Sequence, residues 1–468
     1  MLHVFFGFLR VAILTTLNII LYILSFRRFL LLEGRVLRGI FRNWAWGFRY
    51  QPSNFVVPQT EEGIISAIKQ ARHIRVFGSG HSFNEGVVSE VSLLSLDNYT
   101  GVIWKDAAKK QMAVKAGTRV RDVVHALLEE GWAFEALPSH DAQSIAGILS
   151  TDVHGTGRNW GFVSQSVVGL KIVNGKGEIH ECRPQDDLFK AAIGGIGAVG
   201  VIVEVVVQGV DRFNIDQEIA VVELSFLEEN LDYLLQENDH ISLYLFPFSK
   251  TCQINLWNRT GQEQSFLGPL REFIIISLDA LLAAWIGNLV SYTGLLPSIS
   301  PLIPRFKKGS NIVLESNEAY NRSIYHLHQE LEFSVPVNDI FSVARRFVRL
   351  YEDMYPMGLP YVVFEVRFTP KGHDRTLIGP GQGRSSGWID LVINDSPGFE
   401  AYYEAAETLM KDIGGRPHLG KFIHNIDSGY LSRLYGHNFE RFRQLLEEHD
   451  PEGKFSNSFT KRLFEINS

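Results

Sequence analysis

The sequence predicts an α+β fold with an apolar N-terminal helix, a first half of short strands and helices, and a second half built on a large antiparallel sheet. Three observations predict it. Short strand-like runs alternate with helices from about residue 54 to residue 208, longer strand-like runs with two amphipathic helices follow, and residues 11–26 carry no charge. With 45% apolar and 21% charged residues, the composition excludes disorder, collagen and a simple coiled coil.

The N-terminal segment predicts a membrane anchor. Arg10 is the only charge between residues 2 and 26, and its long side chain can extend to the membrane interface. The uncharged run is slightly short for a spanning helix, so a single-pass helix and a peripheral, interfacial helix both remain open, with a helix packed on the body as a third interpretation. The expected interfacial aromatic residues are Trp44, Trp46 and Tyr50.

Charge is distributed unevenly along the chain. Residues 1–50 hold seven arginines and one acid, Glu33, and therefore carry a charge of +6. The other 418 residues carry −13, which gives the chain its net charge of −7. An acidic body excludes nucleic acid as the main partner, because binding phosphates needs a basic face. The arginines after the apolar run place the catalytic body on the cytoplasmic side by the positive-inside rule. They are Arg27, Arg28, Arg35, Arg38, Arg42 and Arg49.

The first half of the body reads as an α+β unit that ends near residue 209. A recurrence of isoleucines on one face predicts a helix over residues 61–72, and a second helix over 120–130 ends at Gly131. Apolar runs between turn residues predict the strands. They span residues 54–59 with their turn, 74–77, 91–96, 112–115 and 199–208.

The second half predicts an antiparallel sheet with helices. The expected strands span residues 241–246, 253–257, 361–368 and 388–393, and the expected helices span 339–355 and 399–413. A second apolar stretch over residues 273–303 is interrupted by Asp279, Gly287, Gly294 and Pro297, so we do not expect it to span a membrane. An in-plane hairpin on lipid and a buried helical insertion both remain open.

Several small motifs resemble binding sites but lack the context that binding requires. Gly195-Ile-Gly-Ala-Val-Gly200 has the spacing of a dinucleotide fingerprint, but a helix precedes it and a strand follows, which is the reverse of the required order. Residues 415–421 resemble a phosphate-binding loop, but Phe422 stands where a hydroxyl is needed. The cysteines, Cys182 and Cys252, cannot form a disulfide framework, and no Cys/His cluster has metal-ligand spacing, so no metal is expected.

Two glycine-rich loops are better candidates. Gly78-Ser79-Gly80 follows a strand, so its backbone N–H groups can approach a pyrophosphate, with His81 at the tip. A second run, Asp152-Val-His154-Gly155-Thr156-Gly157, follows Ser139, Ser144 and Gly147, whose small side chains can line a flat ring. Taken singly, each run is also typical of an ordinary turn.

Five motifs in the same order resemble the vanillyl-alcohol-oxidase-type (PCMH-type) FAD-binding flavoproteins, in their aldonolactone and alditol oxidase branch. Residues 75–84 (Arg-Val-Phe-Gly-Ser-Gly-His-Ser-Phe-Asn) resemble the covalent-flavin loop, 114–117 the strand and turn after it, and 137–157 the isoalloxazine-binding segment. Residues 416–421 (Arg-Pro-His-Leu-Gly-Lys) resemble that branch's Arg-Pro-His-Trp-Gly/Ala-Lys signature, and 450–457 resemble its C-terminal tail.

The resemblance implies FAD, with its 8α-methyl group bonded to His81, and hydride transfer from a carbinol carbon to flavin N5. It also implies an anchor and juxtamembrane segment over residues 1–49, an FAD-binding domain over 50–210 and a substrate or cap domain over 211–468. The cap carries the apolar insertion at about 265–308, and its last segment returns to the flavin. The implied cofactor-binding residues are Gly78, Ser79, Gly80, His81, Ser82, Ser139, Ser144, Gly147, His154, Gly155, Thr156, Gly157, Val201 and Lys421.

Catalytic residues follow from both periodicity and resemblance. Period two places Glu365 and Arg367 on one strand face, where they can bind a hydroxyl and stabilise an alkoxide, although a surface ion pair is the alternative. The resemblance places Lys421 near flavin N1–C2=O, and His418 either orients that loop, lies near substrate or is a structural histidine. The branch's usual Trp is Leu419 here, and residues 388–394 lack the histidine of an alditol oxidase.

These features predict a membrane-anchored FAD-dependent oxidoreductase that oxidises a CH–OH group of a sugar-derived substrate, foremost an aldono-1,4-lactone. Oxygen or another acceptor would reoxidise the flavin, and Ala116, next to Gly117, can hinder oxygen by analogy with the dehydrogenases of this group. The alternatives are an alditol or lipid-linked alcohol oxidase or reductase, and a membrane-tethered flavoprotein without turnover.

Overall fold

The computed structural model describes residues 2–25, 31–89, 91–307, 310–321, 325–370 and 374–466; Arg27 and Arg28 lie outside them. The first half contains thirteen named strands. They are β1 (Arg35–Leu37), β2 (Ile40–Arg42), β3 (Arg49–Tyr50), β4 (Asn54–Val56), β5 (Ile74–Phe77), β6 (Ser92–Ser95), β7 (Val102–Asp106), β8 (Gln111–Lys115), β9 (Trp132–Ala133), β10 (Val167–Val173), β11 (Ile179–Cys182), β12 (Val201–Gln208) and β13 (Val210–Asp211). The helices of this half are α1 (Leu2–Leu24), α2 (Glu61–Gln70), α3 (Val120–Glu129), α4 (Ile145–Ser150) and α5 (Asp187–Ala192).

The first half is organised around two sheets, as its alternating pattern predicts. Strands β4, β6 and β5 form a parallel sheet, and an antiparallel sheet has the order β11-β10-β12-β8-β7. Helix α2 buries Ile64 and Ile68, and helix α3 is followed by Gly131 at φ +76°, which confirms the predicted helix end. The glycine-rich run at 195–200 lies between α5 and β12, so the predicted order of helix, turn and strand is confirmed.

The second half is a large antiparallel sheet. Its strands are β14 (Asn214–Glu223), β15 (His240–Leu245), β16 (Thr251–Thr260), β17 (Ser310–Glu315), β18 (His328–Pro336), β19 (Val362–Thr369), β20 (Ser386–Asn394) and β21 (Arg416–Pro417), in the order β17-β14-β16-β15-β19-β20-β18-β21. Its helices are α6 (Leu224–Glu237), α7 (Gly268–Leu281), α8 (Asn288–Tyr292), α9 (Leu296–Ile299), α10 (Ser316–Tyr320), α11 (Ile340–Met354), α12 (Phe399–Asp412), α13 (Ser428–Tyr435), α14 (His437–His449) and α15 (Ser458–Phe464). Strand β18 was not among the predicted strands.

One face of this sheet is covered by α11 and α12, and the other faces the site. On the covered face Phe333 contacts Phe347 of α11, and Phe364 contacts Tyr351, at ring-centroid distances of 4.9 and 6.4 Å. Because successive side chains of a strand alternate between faces, Glu332 and Glu365, which adjoin these two phenylalanines in the sequence, point to the opposite side.

The C-terminal segment returns to the first half of the chain. Arg75 of β5 is buried and donates hydrogen bonds to the carbonyl oxygens of Gly86, Ile196 and Phe455. Asn84 donates to the carbonyl oxygens of Leu419 and Lys421, in each case at 2.7 Å. These bonds fasten both the 418–421 loop and the chain end to the loop after β5.

The segment before residue 50 is part of the folded body, and of the three expected interfacial aromatic residues Trp44 lies in its interior while Trp46 and Tyr50 are half-buried. Strands β1, β2 and β3 form a small sheet in which Phe41 is buried against Phe77. Trp44 is buried, its backbone N–H donates to the Gly80 carbonyl, and its ring lies 5.0 Å from that of His328. An aromatic side chain enclosed in this way cannot lie at a membrane surface.

Two apolar helices pack side by side on the body. Residues 268–292 form one continuous helix, α7, a π-helical turn at Leu282–Gly287 and α8, so the expected interruption at Asp279 and Gly287 is wrong. A carboxylate and a glycine weaken a helix without ending it. Phe8 contacts Trp285 and Tyr22 contacts Phe273, so α1 and this helix run in opposite directions.

Among the described residues, His3–Leu24 and Gly268–Tyr292 are the helices long and apolar enough to cross a membrane, which is consistent with membrane association. Both also pack on the body. Arg10 pairs with Asp395 at 2.8 Å instead of extending to an interface, and Thr15 accepts a hydrogen bond from the Leu327 N–H group. The opposite face of α1 exposes Phe6, Ile13, Leu17, Ile20 and Leu24.

Candidate active site

A cavity of about 720 Å³ lies between the two halves. The loop after β5 lines one side, and strands β18, β19 and β20 line the other. Of the residues that the resemblance assigned to the cofactor, eleven line this cavity: Gly78, Ser79, Gly80, His81, Ser82, Ser139, Ser144, Gly147, His154, Val201 and Lys421. The four proposed catalytic residues, Glu365, Arg367, His418 and Lys421, line it as well.

The loop after β5 depends on its glycines. A Cβ atom at Gly78 would lie 1.7 Å from Ser144 Oγ, and Gly80 has φ +63°, which a side chain would strain. Ser79 Oγ accepts a hydrogen bond from Arg119 and donates to the Ala142 carbonyl. The backbone of this loop therefore borders the cavity without intervening side-chain bulk at the two glycines.

His81 stands at the tip of the loop, as the sequence predicts. Its Nε2 atom lies 2.9 Å from His140 Nε2, and the two rings meet edge to face. Its Nδ1 atom is shielded from solvent. Burial, reinforced by His140, lowers the pKa of His81 well below its ordinary value against the opposing effect of a hydrogen bond with the Ser79 backbone, so the imidazole is neutral.

The second glycine-rich run fastens the two halves together. His154 stacks on Trp388 at a ring-centroid distance of 3.6 Å and donates from Nδ1 to the Gly155 carbonyl. Gly155 and Thr156 border a smaller neighbouring cavity. The Gly157 N–H group donates to the Phe368 carbonyl of β19 at 2.8 Å. Within this run only Val153 and His154 line the main cavity.

A buried charged cluster forms the wall opposite the loop. Arg367 Nη2 pairs with Glu332 and lies 3.4 Å from Asp390 Oδ2. Lys421 Nζ pairs with Glu330 and lies 3.2 Å from the same Asp390 oxygen. Lys421 Nζ also lies 3.6 Å from Glu332 Oε2, so both cations contact Asp390 and Glu332, and Lys421 contacts Glu330 in addition.

Glu365 lies beside this cluster on β19, on the strand face that it shares with Arg367. Tyr244 donates a hydrogen bond to Glu365 Oε1 at 3.0 Å. Both side chains line the cavity and are only partly buried, in contrast to Glu332 and Asp390. Glu330 is also partly buried, but it is paired with Lys421, so Glu365 is the carboxylate of this wall that an incoming hydroxyl group can contact most readily.

Burial and neighbouring charges shift the pKa values of Asp390, Glu332 and Lys421 in different directions. Burial and the nearby Glu332 raise the pKa of Asp390 well above its ordinary value, which favours its neutral form. Burial alone would raise the pKa of Glu332, but Arg367 and His154 hold it below its ordinary value. Burial lowers the pKa of Lys421 to about 7, while the ionised carboxylates of Glu330 and Glu332 beside it favour its protonated form.

His418 has a structural hydrogen bond within the same loop. Its Nδ1 atom accepts a hydrogen bond from the Gly420 N–H group at 3.1 Å, so the neutral ring carries its proton on Nε2. Burial lowers the pKa of His418 to about 4, which keeps the ring neutral near pH 7. The bond to Gly420 fixes the turn that carries Lys421.

Three acidic members of this cluster, Glu330, Glu332 and Asp390, were not predicted from the sequence, and neither was Tyr244. A signal for two of them exists, because Glu330 and Glu332 recur with period two among apolar residues. Their strand was not predicted, so this spacing was not interpreted. Asp390 lies within a predicted strand, where an acid flanked by Ile389 and Leu391 is itself unusual.

The charge assignment predicts different responses to two conservative substitutions. Glu332→Gln leaves Arg367 buried with a weaker partner, so we expect the free energy of unfolding to fall by about 3–5 kcal/mol. Asp390→Asn replaces a carboxyl group that is already neutral, so we expect a loss of about 1 kcal/mol or less. Urea unfolding of both variants at pH 7 measures the difference.

The pH dependence of the stability of Glu332→Gln provides a second test of the assigned charges. Because the pKa of Glu332 is lowered on folding, its stabilising contribution is present above its ordinary pKa of 4.5 and is lost as the pH falls. The stability difference between wild type and Glu332→Gln should therefore shrink in acid. Equal losses for the two variants at pH 7 would contradict the assigned charges.

Comparison with known proteins places these features in a family. The profile of the D-arabinono-1,4-lactone oxidase family matches residues 205–463, more than half of the chain, and an FAD binding domain profile matches residues 52–183. L-gulonolactone oxidase of Mus musculus is 26% identical over 447 residues, with 91% of this chain and 98% of the relative covered. L-gulono-1,4-lactone dehydrogenase of Mycobacterium tuberculosis is 25% identical over 436 residues, with 91% and 99% covered.

Solved structures agree with the fold. Cholesterol oxidase of Brevibacterium sterolicum superimposes with a TM-score of 0.72 at 15% identity, with 92% of this chain and 97% of that chain covered. A solvent-stable cholesterol oxidase gives a TM-score of 0.69, also at 15% identity, with 91% and 96% covered. At this identity the likeness supports the fold alone.

The glycine-rich loop, the buried neutral imidazole of His81 at its tip and the matched profiles agree with one another, and the residues present fit an FAD cofactor. The chain therefore belongs to the D-arabinono-1,4-lactone oxidase family and is an FAD-dependent oxidoreductase.

Proposed function

We propose that this protein oxidises a CH–OH group of an aldono-1,4-lactone. The observation that carries the proposal is the position of Glu365, a partly exposed carboxylate beside the buried Arg367–Lys421 charged cluster, in the same cavity as the Gly78–Ser82 loop. Relatives whose names give L-gulonolactone and D-arabinono-1,4-lactone as substrates support this substrate class. When bound, FAD supplies the acceptor for the hydride, at its N5 atom.

Glu365 accepts the proton of the reacting hydroxyl group. A carboxylate held by one hydrogen bond from Tyr244 keeps lone pairs free for the substrate. Arg367 supplies positive charge next to the oxygen as negative charge develops on it, and its pairs with Glu332 and Asp390 fix its position. The neutral Asp390 carboxyl group can donate a hydrogen bond to a ring or lactone oxygen.

Lys421 and His418 act together at the other end of the cluster. Lys421 provides positive charge toward the flavin side of the cavity, and its ion pairs hold the ammonium group in place. His418 positions Lys421 through its hydrogen bond to Gly420. The bonds from Asn84 to this loop maintain its distance from the Gly78–Ser82 loop.

The cofactor is proposed to be covalently bound through His81. A neutral imidazole at the tip of the Gly78–Ser82 loop, on the wall of the cavity, can supply the nitrogen lone pair that such a bond requires. We assign the FAD-binding domain to residues 50–210 and the cap domain to 211–468, with the apolar insertion at about 265–308. The cap's 418–421 loop contacts the cofactor loop, which supports a returning C-terminal segment.

The protein is proposed to bind the membrane peripherally, with α1 and the 268–292 helix in the plane of the surface. Both helices have one face packed on the body and an opposite face of exposed large apolar residues. The exposed residues of the second helix are Leu270, Ile274, Leu278, Leu282, Trp285, Ile286 and Leu289. A helix fixed along the body by Arg10 and Thr15 is suited to lying on a bilayer. The arginines that follow α1 in the sequence favour the anionic cytoplasmic leaflet.

The catalytic assignment predicts that Glu365→Gln lowers the rate of lactone-dependent flavin bleaching by about 10²–10⁴-fold, because the general base is lost. The matched control is Glu218→Gln, an exposed glutamate on β14 outside the cavity. Anaerobic stopped-flow with L-gulono-1,4-lactone and D-arabinono-1,4-lactone measures the rate. An unchanged rate in Glu365→Gln would remove Glu365 from the mechanism.

Covalent attachment predicts that acid precipitation of the purified holoenzyme yields a yellow pellet, because a histidyl bond survives unfolding. In His81→Ala the flavin should remain in the supernatant. Absorbance of both fractions near 450 nm provides the measurement. A colourless wild-type pellet beneath a yellow supernatant would show that FAD is held without a covalent bond.

Membrane binding predicts that the double variant Ile20→Glu and Ile274→Glu releases the protein from vesicles of phosphatidylcholine and phosphatidylserine. Each isoleucine that is buried in lipid contributes about 2 kcal/mol to membrane binding, and each new carboxylate would have to lose its water to enter the lipid. The matched control is Val102→Glu with Ile179→Glu, two exposed apolar residues of the first half. Flotation measures the bound fraction, and equal binding of both double variants would contradict the proposed surface.

A further inference from the structure

The lining of the cavity changes from charged to apolar along β19. The side chains of β19 and of the residue before it that line the cavity are, in order, Tyr361, Val363, Glu365 and Arg367. On β20 the cavity-lining side chains change in the same way, from the apolar Val392 to the acidic Asp390. The cavity therefore has a charged end at Arg367 and an apolar arm that leads away from it past Val363 to Tyr361.

The 265–308 insertion covers this arm. Its cavity-lining side chains are mostly aliphatic: Ile275, Ile276, Leu278, Ala280, Leu282, Ala283, Ile286, Val290, Ile299 and Ile303. Three charged side chains, Arg271, Glu272 and Asp279, interrupt this wall. From the opposite side, Phe246 of the β15–β16 loop and Ile219 of β14 complete the enclosure.

The arm is longer than an aldonolactone requires. Tyr361 lies four residues of extended chain beyond Glu365, the last charged residue, which corresponds to about 13 Å at 3.3 Å per residue. A lactone with hydroxyl groups matches the charged end and has no apolar part to occupy the rest. Aliphatic side chains along an unused length of cavity would otherwise stay in contact with water.

The arm also reaches the outer surface of the insertion. Leu278, Leu282 and Ile286 line the cavity, and each is about half exposed, at 52%, 53% and 47%. The same side chains belong to the exposed apolar face that is proposed to contact lipid. An apolar molecule dissolved in the bilayer can therefore enter the arm between these side chains without crossing water.

We propose that the arm binds the isoprenoid tail of a membrane quinone and that this quinone is the electron acceptor. The inference rests on the proposed oxidation of a lactone CH–OH group, which releases two electrons and two protons as the C=O bond forms. The quinone takes up both electrons and both protons at its carbonyl oxygens and leaves as a quinol. An isoprenoid quinone has a polar ring that accepts two electrons and can lie at the charged end of the cavity. Its apolar tail can lie along the aliphatic side chains of the arm.

The binding test uses an azido derivative of decylubiquinone as a photoaffinity probe on the full-length holoenzyme in detergent. The labelled peptides should lie within residues 275–303 and around Val363, and excess decylubiquinone should abolish the labelling. Ubiquinone-0, which has the same head without a tail, should compete at least tenfold less well. Labelling elsewhere, or equal competition by the two quinones, would overturn the proposal.

The kinetic test compares Ala283→Phe, which fills the arm, with Ala108→Phe, an exposed alanine in a turn far from the cavity. Both are assayed with L-gulono-1,4-lactone as donor and either decylubiquinone or ferricyanide as acceptor. In Ala283→Phe the ratio of the quinone rate to the ferricyanide rate should fall at least tenfold and photolabelling should be lost, whereas Ala108→Phe should match wild type. An unchanged ratio would refute the quinone site.

The two tests separate failure of the inference from failure of the proposed function. If the lactone bleaches the flavin and the quinone neither labels the arm nor accepts electrons, the acceptor proposal fails and lactone oxidation stands. If no lactone bleaches the flavin but a prenyl-linked sugar does, the arm holds the tail of a substrate, which overturns both.

Discussion

The burial of the ion pair between Arg367 and Glu332 is the constraint on which the site depends. Arg367 on β19 reaches Glu332 on β18 across β20, the strand between them, which contributes the Asp390 carboxyl group to the same cluster. A charge removed from water at such a position is tolerated only with partners in good geometry. The register of the central sheet therefore determines where positive charge meets the cavity.

Lys421 extends this cluster to a loop far along the chain. It comes to the cluster because Asn84 and His418 hold the turn around it, and its own ion pair with Glu330 secures the end of the side chain. The loop after β5 and the 418–421 loop are thus connected by hydrogen bonds. A change in either loop would shift the cationic group relative to the cofactor cradle.

Much of this arrangement could be predicted from local sequence. Period two placed Glu365 and Arg367 on one face, and a strand followed by Gly78-Ser79-Gly80 identified the cradle, because both signals depend on adjacent residues. The pairing of Arg367 with Glu332 could not be found in this way, since it depends on which strands become neighbours. The same reason explains why Trp44 was expected at a membrane: its partners are contributed by distant segments.

The apolar segments show a related limit of sequence patterns. Composition identifies both helices as candidates for contact with lipid. Which side of each helix packs on the protein body cannot be read from composition, because it depends on the surface that the rest of the fold provides. Asp279 was expected to interrupt the second helix, yet the helix runs through it and a π-helical turn follows a few residues later. A continuous helix of this length is what allows one side to cover the cavity while the other stays exposed.

The most direct test of this account is a structure of the holoenzyme with a bound aldonolactone or its oxidised product. The account predicts that the flavin ring lies between His81 and the Arg367–Lys421 cluster, and that the reacting oxygen lies within about 3.2 Å of the Glu365 carboxylate. A ligand whose reacting oxygen contacts other side chains while Glu365 faces away, or a flavin ring outside this gap, would contradict it.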